Sequence, residues 1–333
     1  MVDCFIITAS TVDNIIEMEG SFPIEGGTSR GVRDNYLEPG GEGNLIIAFS
    51  RMGGRILPCG PVGNDYYGSF LLSSFRNEGV DTKYLKPIAG YRSPIANCLI
   101  DNKGKHSFVS QLGGCSFAED DELFAMLGES KSFFLSGYFL SDPAHPYYDT
   151  SLKCLDYSFT HGKMIFFDPG PYVSKIRKDV IKYIMPRLTA AAFNEDEARE
   201  LTGKSNPVEA IEIINSMMPA GLTIVKVGKD GCFAKRNGEA ARRYPAFDVD
   251  VVDTCGCGDS FIAALMYALV NSWDDADAIV LANAVGSVMA SKMGTGTKCP
   301  TFDEVVEILE MSGYTVSNNS KEEKRFLPFS VKI

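Results

Sequence analysis

The chain has 333 residues, 45% of them hydrophobic, and a formal net charge of −11. That length can build one large α/β domain with an insertion, and the acidic balance argues against nucleic acid as a partner, which needs a basic face. No apolar run is long enough to cross a bilayer, and nine cysteines scattered mostly through apolar runs suit reduced thiols in the cytoplasm better than a disulfide framework.

In chain order, the N-terminus lacks a basic region and reads as a buried first strand, Cys4–Ala9, rather than a signal peptide. Residues 14–43 are β-like, with a turn signal at Gly26-Gly27. Ile56–Gly60 reads as a strand, and Tyr67–Glu78 has the apolar spacing of a helix. Residues 91–112 are β-like again, around a turn at Asn102-Lys103-Gly104. Further strands are expected at Ser132–Ser136, Met164–Asp168, Ala190–Asn194 and Thr223–Val227, and helices at Glu195–Thr202, Ser260–Val270 and Asp274–Met293. Thr301-Phe302-Asp303-Glu304 is a capping box that opens another helix, and the tail from Ser317 carries no assignable signal. The alternation predicts an α/β fold, a doubly wound and mostly parallel sheet flanked by helices, with ligands at the carboxyl ends of its strands. Residues 1–13, 45–90 and 113–333 form that core, while 14–44 and 91–112 interrupt it. Their short, polar-interrupted strands cannot build a core alone and must lean on the main domain or on another chain.

The segment Asp253-Thr254-Cys255-Gly256-Cys257-Gly258-Asp259 opens an apolar, helix-forming run. Small residues let the backbone turn tightly and let a ligand approach its N–H groups. The first N–H groups of a helix have no partner within it and carry the positive end of the dipole, so such a mouth binds phosphate readily. A carboxylate beside a phosphate hole suits a base that takes a proton from an attacking hydroxyl. The plainer reading of Asp259 is an acidic N-cap after a glycine turn.

This segment resembles the D-T-x-G-A-G-D signature of ribokinase-like (PfkB family) carbohydrate kinases, with Cys257 where the family has alanine. Gly40-Gly41-Glu42-Gly43-Asn44 and the run after it resemble the family's G-G-x-x-x-N and its following helix. Gly60-Pro61-Val62-Gly63-Asn64-Asp65-Tyr66-Tyr67-Gly68 resembles its G-x-V-G-x-D-x-x-G, Asn194-Glu195-Asp196-Glu197 its N-x-x-E, and Val225-Lys226-Val227-Gly228-Lys229-Asp230-Gly231 its V-T-L-G-x-x-G. The matches come in the family's order, from about Asp13 to Gly296. The resemblance implies transfer of a phosphoryl group from ATP directly to a hydroxyl of a small sugar or polyol. It implies Mg²⁺ and, in some members, a monovalent cation such as K⁺. Strands from 14–44 and 91–112 would then form a β lid over the sugar, and lids of two subunits would pair in a homodimer.

Residue by residue, the resemblance makes Asp259 the general base and the N–H groups of Gly256, Cys257 and Gly258 the anion hole. Asp13, Gly41 and Asn44 go to the acceptor. A carboxylate can accept hydrogen bonds from two vicinal hydroxyls, and an amide both donates and accepts, although Asn44 also reads as a helix N-cap. Asn194, Lys226, Gly228, Gly231 and Asn283 go to the nucleotide; Asn283 reads equally well as a packed helix residue. Glu197 goes to Mg²⁺ through water, and the carbonyls of Asp253 and Cys255 to the monovalent cation.

The chain departs from the pattern in places. Gly40-Gly41 lies one residue closer to Asn44 than is usual, Glu42 stands where ribokinases tend to have lysine, and Lys226 stands where the family has threonine. Gly170 and Tyr172, after Asp168, replace two residues of the fructokinase-like Asp-x-Asn-x-Arg, which weakens a fructokinase assignment. A nucleoside kinase remains an alternative, as does a sugar-phosphate kinase using Arg30, Arg33, Arg92, Lys103 or Lys105. A catalytically dead sugar-sensing protein would have a damaged Asp259 or anion hole, and both look intact. A P-loop is excluded because Ala198 stands where Gly203-Lys204-Ser205 needs an earlier glycine. A dinucleotide fingerprint is absent after the first strand. His106, His145 and His161 match no catalytic pattern and read as structural or exposed. Cys255 and Cys257 lack a second Cys/His pair at metal-ligand spacing.

Overall fold

The computed structural model describes residues 1–21, 31–103, 105–111, 113, 115, 120–316 and 330–331. The chain begins with β1 (Val2–Ile7), β2 (Thr11–Met18) and β3 (Val32–Gly40), then α1 (Glu42–Arg51), β4 (Ile56–Gly63), α2 (Tyr66–Asn77) and β5 (Leu85–Ile88). There follow β6 (Ile95–Ile100), β7 (His106–Gln111), α3 (Asp120–Gly128), β8 (Ser130–Ser136), α4 (Tyr148–Thr160), β9 (Met164–Asp168) and α5 (Lys178–Ile184). Next are β10 (Ala190–Asn194), α6 (Glu195–Thr202), α7 (Pro207–Ser216), β11 (Leu222–Lys226), β12 (Cys232–Arg236) and β13 (Arg242–Tyr244). The last are α8 (Cys257–Val270), α9 (Asp275–Ala290), α10 (Phe302–Met311), β14 (Tyr314–Thr315) and β15 (Ser330–Val331).

Nine strands form one sheet in the order β13-β12-β11-β10-β9-β8-β1-β4-β5. Its pairings are parallel from β11 across to β5, and only the β12 and β13 edge is antiparallel. Strand alternation divides the core between the two faces: Cys4 and Ile6 pack with α1, α8 and α9, whereas Phe5 and Ile7 pack with α3 to α7. Helix α8 is apolar all round and buried from Ser260 to Val270, as befits a helix enclosed between others. The doubly wound, mostly parallel sheet expected from the alternation is present.

Element boundaries moved where local signals were weak. Apolar periodicity places the start of α8 at Ser260, but the helix starts at Cys257 because Gly256, at φ 72°, turns the chain into it. Asn44 is not an N-cap: Gly41 holds that place in α1, without a side-chain cap. The short strand β5, Leu85–Ile88, carries a proline at the sheet edge and had no clear period-2 pattern.

A second sheet, in the order β3-β2-β6-β7, stands beside the first. Among the described residues its own core is Ile15, Cys98 and Ile100, with Tyr36 and Met293 against them. Met293 comes from just beyond α9, so this sheet leans on the main body as its thin core requires. The Gly26-Gly27 turn and Gly104 lie outside the described residues, as does the tail between β14 and β15.

Candidate active site

The parallel strands leave polar side chains along one rim. Strands β8, β9, β10 and β11 end at Ser136, Asp168, Asn194 and Lys226. The residues just before these ends are apolar and covered on both faces, and a polar side chain follows where the backbone emerges at the carboxyl end. The mouth of α8 opens onto the same rim.

Gly256 is the N-cap of α8, and no side chain caps the helix, so its first turn points bare N–H groups outward. The Cys257 N–H only leans toward the Thr254 carbonyl, at 3.4 Å, long for a hydrogen bond. A Cβ on Gly258 would stand 3.2 Å from the Lys226 Nζ, so the absence of a side chain there lets the ammonium come up to the helix mouth. Lys226 pairs with Asp168 at 3.4 Å. Burial works against its charge, but Asp168, Glu197 and Asp259 together hold the ammonium above its ordinary pKa.

Asp259 lies in the first turn of α8, recessed but still touched by solvent. Its Oδ2 accepts a hydrogen bond from Asn44 Nδ2 at 3.0 Å, and Asn44 Oδ1 in turn accepts the Gly296 N–H at 2.6 Å. Burial and the charge of Asp168 push the Asp259 carboxyl up to about 7, against the opposing pull of Asn44 and Lys226. That places it in the range suited to accepting a proton near neutrality. Glu197 is also raised, by burial and by Asp168. Its two oxygens accept the Asn194 N–H at 2.8 Å and Asn194 Nδ2 at 2.7 Å, and Asn194 Oδ1 accepts the Glu197 N–H at 2.8 Å. Asn194 is therefore committed to a capping box, while Glu197 keeps lone pairs for a water. The carboxylates of Asp168 and Glu197 offer oxygen, the donor chemistry that suits Mg²⁺, but with Asp259 they do not converge into a three-ligand cluster among the described residues.

Toward the second sheet, Asp13 lies on β2 opposite Glu38 and is buried, with its Oδ2 accepting Thr295 Oγ1 at 3.2 Å. Burial, with Glu38 beside it, raises its carboxyl to about 6 against the hydrogen bond from Thr295. Gly41 caps α1 between Asp13 and Asn44 in the chain, and the 294–297 turn joins these two residues through Thr295 and Gly296. Asp253 holds the loop before α8: its Oδ1 accepts the Cys255 N–H at 2.9 Å and its Oδ2 the Gly294 N–H at 3.0 Å.

Other residues lie apart from this cluster. Gly228 follows Lys226 in an open turn, with no atom near the position of an added Cβ. Gly231 is packed under Tyr244 to Ala246, which leaves no room for a side chain. Asn283 is buried in α9 and turns its amide to Cys232 Sγ at 3.7 Å and to the Tyr244 carbonyl at 3.4 Å, the packing arrangement named as its plainer reading.

Three neighbours of Asp259 were not singled out as site residues. Asp168 supplies the main charge that raises it. Glu42 is buried at the start of α1, accepts Ser136 Oγ at 3.0 Å, and has its carboxyl raised by burial. Tyr138 stacks edge-on with Tyr172 at 5.5 Å, and burial, then the Asp259 and Glu42 charges, raise its phenol. The position of Asp168 at a strand end and that of Glu42 within the Gly40–Asn44 motif were usable signals; Tyr138 had none in its local sequence. His106, read as structural or exposed, lies beside Cys255 and Asp253.

The family model described as pfkB family carbohydrate kinase matches residues 5–301. The ribokinase of Bacillus subtilis is 30% identical over 273 residues, covering 81% of this chain and 87% of its own. A probable fructokinase-4 of Arabidopsis thaliana is 28% identical over 290 residues, covering 82% and 87%. The structure of Arabidopsis thaliana ribokinase complexed with ribose and ATP superposes with a TM-score of 0.79 at 19% identity, over 93% of this chain and 99% of that one, a likeness of fold. A family match that runs through the strand ends, the helix mouth and Asp259 alike makes this chain a member of the pfkB family of carbohydrate kinases, phosphotransferases with an alcohol group as acceptor.

Proposed function

We propose that the protein transfers the γ-phosphoryl group of ATP to a hydroxyl of a small sugar or polyol, with Asp259 as the general base. The observation that carries this reading is the placement of Asp259 in the first turn of an uncapped helix, held by Asn44 and facing the half-buried Lys226, where burial and Asp168 raise its carboxyl. ATP as donor is supported by the ATP complex of the Arabidopsis ribokinase.

In this reading the acceptor hydroxyl lies against Asp259, held there by Asp13, Gly41 and Asn44. Asp259 takes its proton as the oxygen–phosphorus bond forms and the bond to the ADP oxygen breaks. The N–H groups of Gly256, Cys257 and Gly258 then stabilise charge on the transferring group. Lys226 adds a cation at the same mouth, doing electrostatically what a hydroxyl cannot. When bound, Mg²⁺ neutralises polyphosphate charge, and Glu197, through water, and Asp168 are the residues to hold it. Gly228 and Gly231 let the backbone pass under the nucleotide; the packed amide of Asn283 supports a minor part there. The carbonyls of Asp253 and Cys255 take a monovalent cation. The second sheet acts as a lid that excludes water, which competes with the sugar for the phosphoryl group. Exposed Phe108 and Val109 on β7 support pairing of this sheet with that of a second copy.

No helix among the described residues is long and apolar enough to cross a membrane, and nine free cysteines favour a reducing compartment, the cytoplasm. A coupled ADP-release assay over sugars, sugar phosphates and nucleosides tests the function. Turnover with a free sugar or polyol is the expected result. Turnover only with a nucleoside or a sugar phosphate would reassign the acceptor, and none with any of them would remove the kinase reading.

A further inference from the structure

Beside the mouth of α8, three side chains converge, one of them from a distant segment. His106 opens β7 of the second sheet, while Asp253 and Cys255 lie on the loop that leads into α8. The His106 Nδ1 is 3.1 Å from Cys255 Sγ, and its Nε2 is 3.5 Å from Asp253 Oδ1. One ligand atom from each residue lies within 4.8 Å of the others. Asp253 is buried and fixed by the two backbone N–H groups it accepts, whereas His106 and Cys255 are partly exposed and can be reached from solvent. The thiol of Cys98, on β6, is a further neighbour of Cys255.

A thiol, an imidazole and a carboxylate in a row can be an activated nucleophile, a metal site or a simple hydrogen-bonded trio. Nucleophilic cysteines need a lowered thiol pKa. Here the charged side chain beside Cys255 and His106 is the Asp253 carboxylate, whose negative charge opposes an isolated thiolate. A bound metal ion overcomes the same obstacle by displacing the proton outright. A tetrahedral ion with ligand bonds of about 2.0–2.3 Å holds its ligand atoms roughly 3.3–3.8 Å apart. His106 faces Cys255 with Nδ1 and Asp253 with Nε2, and only one of these nitrogens can bind a given ion; one ligand atom from each residue already lies within 4.8 Å of the others, so a turn of the ring and a contraction of about 1 Å would bring the three to that spacing. Thiolate with imidazole selects a borderline or soft ion over Mg²⁺, which prefers oxygen alone.

We propose that His106, Asp253 and Cys255 form a site for a thiophilic divalent cation of the zinc class, with a fourth position left open. These are side-chain ligands, distinct from the carbonyls assigned to a monovalent cation, and the proposal does not rest on the phosphotransfer reading although the site adjoins Gly256. An ion there would tie β7 of the second sheet to the loop that carries the mouth of α8.

The test is a titration of the chelator-treated full chain with Co²⁺, an optical substitute for zinc. The expected result is a thiolate-to-cobalt charge-transfer band that saturates at one equivalent, is displaced by Zn²⁺ and is insensitive to Mg²⁺. Cys255→Ser should abolish the band. His106→Gln should weaken Co²⁺ affinity at least about tenfold, the low end for disturbing a metal's surroundings. Cys115→Ser, which removes a partly exposed thiol elsewhere, should leave the band unchanged. No thiolate band in the parent, or a band that survives unaltered in Cys255→Ser or His106→Gln, would overturn the proposal, as would its loss in Cys115→Ser. If Cys255→Ser fails to give a cooperative melt, His106→Gln, a change at a strand end, decides alone.

Discussion

Replacing Asp259 by asparagine should lower turnover and raise stability at once. A general base is typically worth about 10²–10⁴-fold in rate, and asparagine cannot accept the proton. The stability gain follows from the raised pKa. The folded carboxyl titrates near 7, against 3.8 for the ordinary group, so the folded state binds the proton more tightly than the unfolded chain does. Stability then falls as pH rises between those two values, and the penalty is complete above the higher one. A shift of about 3 units has a ceiling of roughly 4 kcal/mol. Asp259 keeps some solvent contact and faces Lys226, so about 1–3 kcal/mol is expected, a few degrees in Tm for a chain of this size. Asparagine keeps the shape and can still accept from Asn44. The assay is paired: coupled ADP release at saturating substrate, and thermal melts at pH 5 and pH 8. The variant's Tm advantage should be larger at pH 8. Turnover within about threefold of the parent would remove Asp259 as the base, and a Tm advantage that vanished or reversed at pH 8 would refute the electrostatic argument.

Gly258→Val places a β-branched side chain where an added Cβ alone would stand 3.2 Å from the Lys226 Nζ. It should cost roughly 2.7–4 kcal/mol of transition-state stabilisation, as for a lost oxyanion donor, read as kcat in a variant whose melt is cooperative. Lys226→Met removes the cation that opposes the rise of Asp259. The acid limb of the kcat/KM profile should move to higher pH, by about one unit for each 1.4 kcal/mol of lost pairing, and an unmoved limb would count against the assignment. Asp13→Ala should raise the sugar KM about tenfold to a hundredfold, from about 1.5–3 kcal/mol of lost charged hydrogen bonding. Calorimetric ATP affinity should stay unchanged. Phe108→Lys, on the exposed face of β7, should convert a dimer to monomers in sedimentation, and an unaltered sedimentation coefficient would place any dimer contact elsewhere.

Much of the architecture was legible because its signals are local. Runs such as Ala190–Asn194 followed by Glu195–Thr202 carry a strand, a cap and a helix within thirteen consecutive residues. The mouth of α8 was legible for the same reason: two glycines, a small residue and an acid within one turn already specify a bare helix terminus with a carboxylate beside it. What the sequence could not convey is which distant groups meet there. Asn44 and Asp259 are 215 residues apart, Lys226 and Asp168 are 58 apart, and Cys255 and His106 are 149 apart. Whether Asp259 has a pKa near 4 or near 7 depends on burial and on Asp168, neither of which has any trace in the residues flanking it. Local chemistry thus determined the elements and the kind of site. Charge, proton affinity and the gathering of His106, Asp253 and Cys255 were decided by packing, because Coulomb and desolvation energies depend on distance through space rather than along the chain.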